Sequence, residues 1–166
     1  MLTQARLKEL IKYEPDTGNF IWIAPTRRRI VFGSIAGCLM NGGYWHIRID
    51  AKKYLAHRLA WLYVHGEFPI EHLDHIDGNR INNRFSNIRA CSRAENGQNR
   101  ISNKNSTSKY LGVHWHRLSN RWQAQIRINK KPIYLGLFDS EQDAYAAYCK
   151  AKKEIHTFNP EIRKAD

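Results

Sequence analysis

The sequence predicts an α+β protein made of short antiparallel strands and a few amphipathic helices. Three strand-like runs, 110–116, 121–128 and 132–138, follow one another across turn residues and precede a helical stretch, which is a complete small unit. Elsewhere, short apolar runs alternate with stretches of helical periodicity. A length of 166 residues with 42% hydrophobic side chains allows one medium domain or two small ones, each with a modest core.

Taken in order, residues 3–13 read as a helix capped by Thr3, with Leu7, Leu10 and Ile11 on one face. Asp16-Thr17-Gly18-Asn19 is a turn into the strand-like Phe20-Ile21-Trp22-Ile23. Arg27-Arg28-Arg29 is a basic loop, and Gly42-Gly43 turns into a strand over 44–49. Residues 55–65 fit a second helix, with Leu55, Leu59 and Leu62 on one face and Gly66 at its end. Residues 100–109 are polar and turn-prone and read as a linker. Asn120 and Asn129-Lys130-Lys131 separate the last three strands, whose expected core is Val113, Trp122, Ile126, Leu137 and Phe138. A final helix starts at Ser140, with Asp143 completing a near capping box. Its face of Ala144, Ala147, Tyr148, Ala151 and Ile155 would pack on the sheet.

A formal net charge of +12 points to a polyanionic partner, because each Lys or Arg set on a phosphate releases a condensed counterion. No run is long and apolar enough to span a bilayer, no secretory leader is expected at the start, and a cytoplasmic setting follows. Cys38, Cys91 and Cys149 lie far apart, which excludes a CxxC zinc knuckle and reads as reduced, semi-buried thiols.

The segment from Leu73 to Asn99 is dense in Asp, His and Asn and poor in large apolar residues. Its expected order is strand, turn at Asp77-Gly78-Asn79, short extended piece at 87–90, then a helix opened by a Ser92/Glu95 capping box. A carboxylate and an amide oxygen are hard ligands suited to Mg²⁺ or Mn²⁺, and a neighbouring imidazole titrates near neutrality. Together they supply what phosphodiester hydrolysis needs. Composition alone favours an inert loop over a metal site. An EF-hand is excluded, because Ile76 stands where an oxygen ligand is required and no Glu closes the loop.

Residues 57–99 resemble the HNH endonucleases of phage and homing type, and this reverses that order. The matching string runs from His57-Arg58-Leu59-Ala60-Trp61 through Asp74-His75-Ile76-Asp77-Gly78-Asn79, Asn82-Asn83 and Asn87-Ile88-Arg89 to Glu95-Asn96. The opening third is similar to the amino-terminal region of phage-encoded members. The resemblance implies a ββα-metal (His-Me finger) core, with His75 as general base and Asp74 and Asn96 binding one divalent cation, Mg²⁺ or Mn²⁺. Asn87, the other member of the catalytic signature, would tie the loop together and orient the histidine. The third signature position carries Asn rather than His. Arg80, Arg84, Arg89 and Arg93 are expected on phosphates. His57 reads as a structural histidine rather than a ligand, and His72 as an exposed bystander.

Residues 110–158 resemble the AP2/ERF DNA-binding domain. The string is Tyr110-Leu111-Gly112-Val113, Arg121-Trp122-Gln123-Ala124-Gln125-Ile126-Arg127, Tyr134-Leu135-Gly136-Leu137-Phe138 and Asp143-Ala144-Tyr145-Ala146-Ala147-Tyr148. The resemblance implies groove contact through the sheet, with His114, His116, Arg117, Arg121, Gln125, Arg127 and Lys131 as DNA-binding side chains. Leu111, His114 and His116 replace the usual arginines of plant members, so their site preference does not carry over.

The expected organisation is therefore an α+β supporting region (1–55), an HNH core (56–99), a linker (100–109) and an AP2/ERF-like module (110–158). The expected function is metal-dependent hydrolysis of double-stranded DNA by a monomer, with a dimer left open. Its setting would be the host cytoplasm if the gene is phage-encoded. A non-cutting DNA-binding regulator is the alternative, and RNA cleavage a third reading.

Overall fold

A computed structural model describes residues 1–24, 30–98, 106–129, 131–156 and 158. The basic run Arg27-Arg28-Arg29, residues 100–105 of the expected linker and Lys130 lie outside these. The chain divides into two compact units, Met1–Cys91 and Ser92–Asp166. Both are mixed α and β with small antiparallel sheets.

The first unit opens with α1 (Gln4–Leu10), capped by Thr3, whose hydroxyl accepts from the Arg6 amide at 3.2 Å. The helix ends earlier than its periodicity predicts. From Ile11 the chain is extended as β1 (Ile11–Glu14), with Ile11 and Tyr13 buried and Lys12 exposed. The period-two choice wins because β1 pairs with β2 (Asn19–Trp22), an arrangement that also buries Phe20 and Trp22.

The next sheet has the order β3 (Cys38–Met40), β4 (Tyr44–Ile49), β5 (Lys52–Leu55). Then α2 (Ala56–His65) stops at Gly66, which takes the left-handed φ of 88° that a C-terminal cap requires. Leu59, Ala60 and Leu62 of α2 join Leu7, Leu10, Ile11, Phe20, Ile47 and Ile49 in one core. Finally β6 (His72–His75) pairs with β7 (Ile88–Cys91), bringing Asp74 opposite Arg89 and His75 opposite Ile88. A single 3₁₀ turn, Phe85–Asn87, leads into β7.

The second unit begins with the short α3 (Arg93–Asn96), where Ser92 and Glu95 form the expected capping box. Its sheet has the order β10 (Lys131–Phe138), β9 (Arg121–Ile128), β8 (Val113–His116). The last helix, α4 (Glu141–Ile155), is capped by Ser140. Val113, Ala124 and Ile126 of the sheet are buried with Ala144, Tyr148 and Ala151 of α4. Gly112, at φ 79°, allows this closeness: a Cβ there would stand 2.2 Å from the Tyr148 ring.

Three expectations need correction. Leu137 is not core, because a bulge between Tyr134 and Gly136 shifts the register and sets Leu137 opposite Gln123, away from α4. Residues 106–109 are not spacer throughout: Ser108 is buried, and its hydroxyl donates to Glu141 at 2.6 Å. The cysteines are free but not alike, with Cys38 exposed on a sheet edge, Cys149 half-buried and Cys91 buried.

Candidate active site

Asp74 and His75 end β6, and both are buried. Two groups compensate them. The Asp74 carboxylate accepts from the Arg89 guanidinium at 2.9 and 3.3 Å, across the strand pair that sets these residues opposite each other. The His75 ring meets Asn83 at 3.4 Å, Nε2 to Oδ1. The Asn83 amide has one orientation there, because its Nδ2 donates to the Ile81 carbonyl at 3.0 Å. Its oxygen therefore faces His75, an arrangement in which Nε2 of the neutral imidazole is the donor and Nδ1 the nitrogen with the lone pair.

The first hairpin holds Asn83 in place. Tyr13 on β1 donates its hydroxyl to the Asn83 carbonyl at 2.6 Å. Burial pushes the Tyr13 phenol well above its ordinary range, so it stays a donor. Gly18, in the β1–β2 turn, has φ 77°, and a Cβ there would fall 2.5 Å from the backbone at Asn83 and Arg84. In the sequence Asn83 stands out only as one Asn of an Asn-rich string. Its signal, burial against the distant residues 13 and 18, is not local.

The turn between β6 and β7 is closed by Asn87. Its Oδ1 accepts from the Asp77 amide at 3.0 Å, and its Nδ2 donates to the Asp77 carboxylate and to the Asn82 carbonyl, both at 2.9 Å. The Asp77 carboxylate also accepts from Asn82 Nδ2 at 2.6 Å and from the Asn79 amide at 2.8 Å. Burial alone would raise the Asp77 carboxyl. The bonds from Asn82, Asn87 and Asn79, with His75 nearby, outweigh it and hold the group below the usual carboxylate range. The Asn-rich composition thus has a structural use, as a network that fixes the loop beside His75.

The expected arginines differ in their engagements. Arg89 lies on Asp74. Arg80 donates to the Gly42 carbonyl at 2.8 Å and sits 4.8 Å from the centre of the Tyr44 ring. Arg84 is exposed. In the second unit, Arg93 is exposed and Asn96 half-buried on α3. On the sheet there, His114 pairs with Gln123, His116 with Arg121, Gln125 with Tyr134 and Arg127 with Pro132. Strand alternation puts all of these on the face opposite Val113, Ala124 and Ile126. Lys131 falls at the other parity, and Arg117 lies in the β8–β9 turn. Arg121 holds Asp139 with two bonds, at 2.8 and 3.0 Å.

Within the first unit Asp74 offers a carboxylate oxygen, a hard donor on which Mg²⁺ or Mn²⁺ would keep several waters. Among the described residues no three His, Cys, Asp or Glu side chains cluster as a metal-holding group, so an ion here would depend on those waters and on a phosphate.

Comparison with known proteins bears on the same stretch of chain. Residues 54–98 match the family described as HNH endonuclease, and they include α2, β6, the Asn-rich loop, β7 and α3. The chain thus carries an HNH endonuclease domain, a class that acts on DNA and generally uses a divalent metal. A relative is Protein 3.8 of Escherichia phage T7, 30% identical over 76 residues, or 45% of this chain and 63% of the relative. The chain thus spans less than two thirds of that relative's length. No solved structure matches. Among the described residues no helix is long and apolar enough to cross a membrane.

Proposed function

We propose that the protein is a metal-dependent DNA endonuclease in which His75 is the general base. The carrying observation is a buried imidazole, its Nε2 3.4 Å from the Asn83 amide oxygen, next to a buried carboxylate in the stretch that matches the HNH endonucleases. In this reading β6, β7 and α3 are the ββα-metal core, and Asp74 and Asn96 would hold the cation. The ion supplies charge neutralisation at the phosphate and leaving oxygen. His75 takes a proton from water at Nδ1, and Asn83 fixes the tautomer that makes this possible. Arg89 aligns the Asp74 carboxylate, while Asn87 holds the loop that carries these groups.

The second unit adds affinity in this account. Its open sheet face, with His114, His116, Gln125 and Arg127 on one side, is an AP2/ERF-like surface for double-stranded DNA. A tethered second module raises the effective concentration at the site. The chain would act as a monomer inside a host cell, a setting consistent with its phage relative.

That same face supports the rival reading, a DNA-binding regulator that does not cut. Supercoiled plasmid separates the two. With Mg²⁺ or Mn²⁺ the nuclease converts it to open circles or linear DNA, and EDTA stops the conversion. A regulator retards the plasmid in a gel and leaves it supercoiled in either metal.

A further inference from the structure

The wall behind His75 holds a second histidine, His57, for which the nuclease reading has no task. It stands in the first turn of α2 and is 6% exposed. Its ring meets the His75 ring edge to face, with centroids 4.9 Å apart and planes at 77°. Tyr44 on β4 backs both rings, 5.5 Å from His57 and 6.2 Å from His75. Tyr44 is in turn covered by Arg80.

What this contact uses is the ring of His57 and not its nitrogens. Among the described residues its Nδ1 is buried with no hydrogen-bond partner, a cost that an apolar ring of the same size would avoid. Burial, with His75 and Arg58 nearby, pushes its pKa down to about 3, so the ring next to His75 is uncharged near neutrality. The Asn83 contact, at 3.4 Å, acts on one nitrogen of the His75 ring. The His57 ring packs against the imidazole itself, and close packing of that kind limits its rotation.

We propose that His57 is a positioning residue: its ring, packed against His75, fixes the plane of the imidazole and so the bearing of Nδ1. The inference rests on the nuclease reading above.

The test uses the full chain with His57→Ala and His57→Phe, measuring single-turnover DNA cleavage, DNA affinity and the folded fraction separately. Loss of the ring is expected to slow cleavage about 10²-fold per folded molecule, the cost of a misplacement of roughly 1 Å. DNA affinity stays at the wild-type value, and His57→Phe recovers most of the rate. A residue that only supports the fold would lower the melting temperature and leave the rate per folded molecule unchanged, which overturns the proposal. So does a folded His57→Phe as slow as His57→Ala, because the ring contact would then not be what matters. If His57→Ala does not fold, the wild-type protein decides. A nuclear Overhauser effect between the two imidazoles, with one bearing for His75, supports the proposal, and its absence overturns it. A wild-type chain that leaves DNA intact with Mg²⁺ and Mn²⁺ overturns the nuclease reading and this inference with it. A cutting wild type with an indifferent His57→Ala overturns this inference alone.

Discussion

Acid should destabilise the Met1–Cys91 unit through one histidine, and the size of the effect follows from where His57 sits. In the folded chain its pKa is pushed from 6.5 to about 3, first by burial and then by the neighbouring His75. Above pH 6.5 the ring is neutral in both folded and unfolded chains and contributes no pH dependence. As pH falls below 6.5 the unfolded chain binds a proton that the folded ring refuses, so stability is lost with decreasing pH. At about 1.36 kcal/mol per pH unit, roughly 2–3 kcal/mol is gone by pH 4.5, and on the order of 4 kcal/mol once pH reaches the folded value. The assay is urea denaturation between pH 7.5 and 4.5, followed by nuclear magnetic resonance at core methyls of Ile47 and Leu59, compared with His57→Phe. The variant removes the titration while keeping a ring in place. It should lose about 2–3 kcal/mol less than the wild type over this range. Its orphaned nitrogen is gone as well, so at neutral pH it should be no less stable than the wild type. Parallel loss of stability in the two proteins would refute the reasoning, because another group would then carry the acid sensitivity.

Two further perturbations address the scaffold. Asn87→Ala removes three hydrogen bonds, one of them to a carboxylate, and should cost about 2–4 kcal/mol in the same denaturation assay at pH 7. An unchanged midpoint would mean that water replaces the side chain. Gly18→Ala combines φ 77° with a Cβ 2.5 Å from the backbone at Asn83, so the first hairpin must move away from the loop. It should destabilise the unit by about 1–3 kcal/mol and also slow cleavage, whereas full activity at wild-type stability would show that Asn83 does not need this support.

The local parts of this account were legible in the sequence. Asp74-His75, the Asp77-Gly78-Asn79 turn, Asn87 and the Ser92/Glu95 box lie within one short stretch, so spacing alone orders them. The strand β5 was not read. Its hairpin turns through Asp50 and Ala51 at φ 45° and 66°, conformations that Asn-Gly advertises and Asp-Ala does not. The helix α1 was read too long because Ile11 satisfies both the helical and the alternating pattern, and only pairing with Trp22 decides between them. The importance of Asn83 and the contact between His57 and His75 arise from packing between distant segments, which no local period records. The sheet face of the second unit was legible from strand alternation, whereas the bulge that turns Leu137 outward was not.

The central claim is that the His75 ring activates water for attack on a DNA phosphate. Its most direct measurement is single-turnover cleavage by His75→Ala under conditions where the variant and the wild type bind DNA equally well. The account predicts that the variant stays bound and folded while its cleavage rate falls at least about 10²-fold, the usual share of a general base. Cutting at the wild-type rate by the bound variant would contradict it.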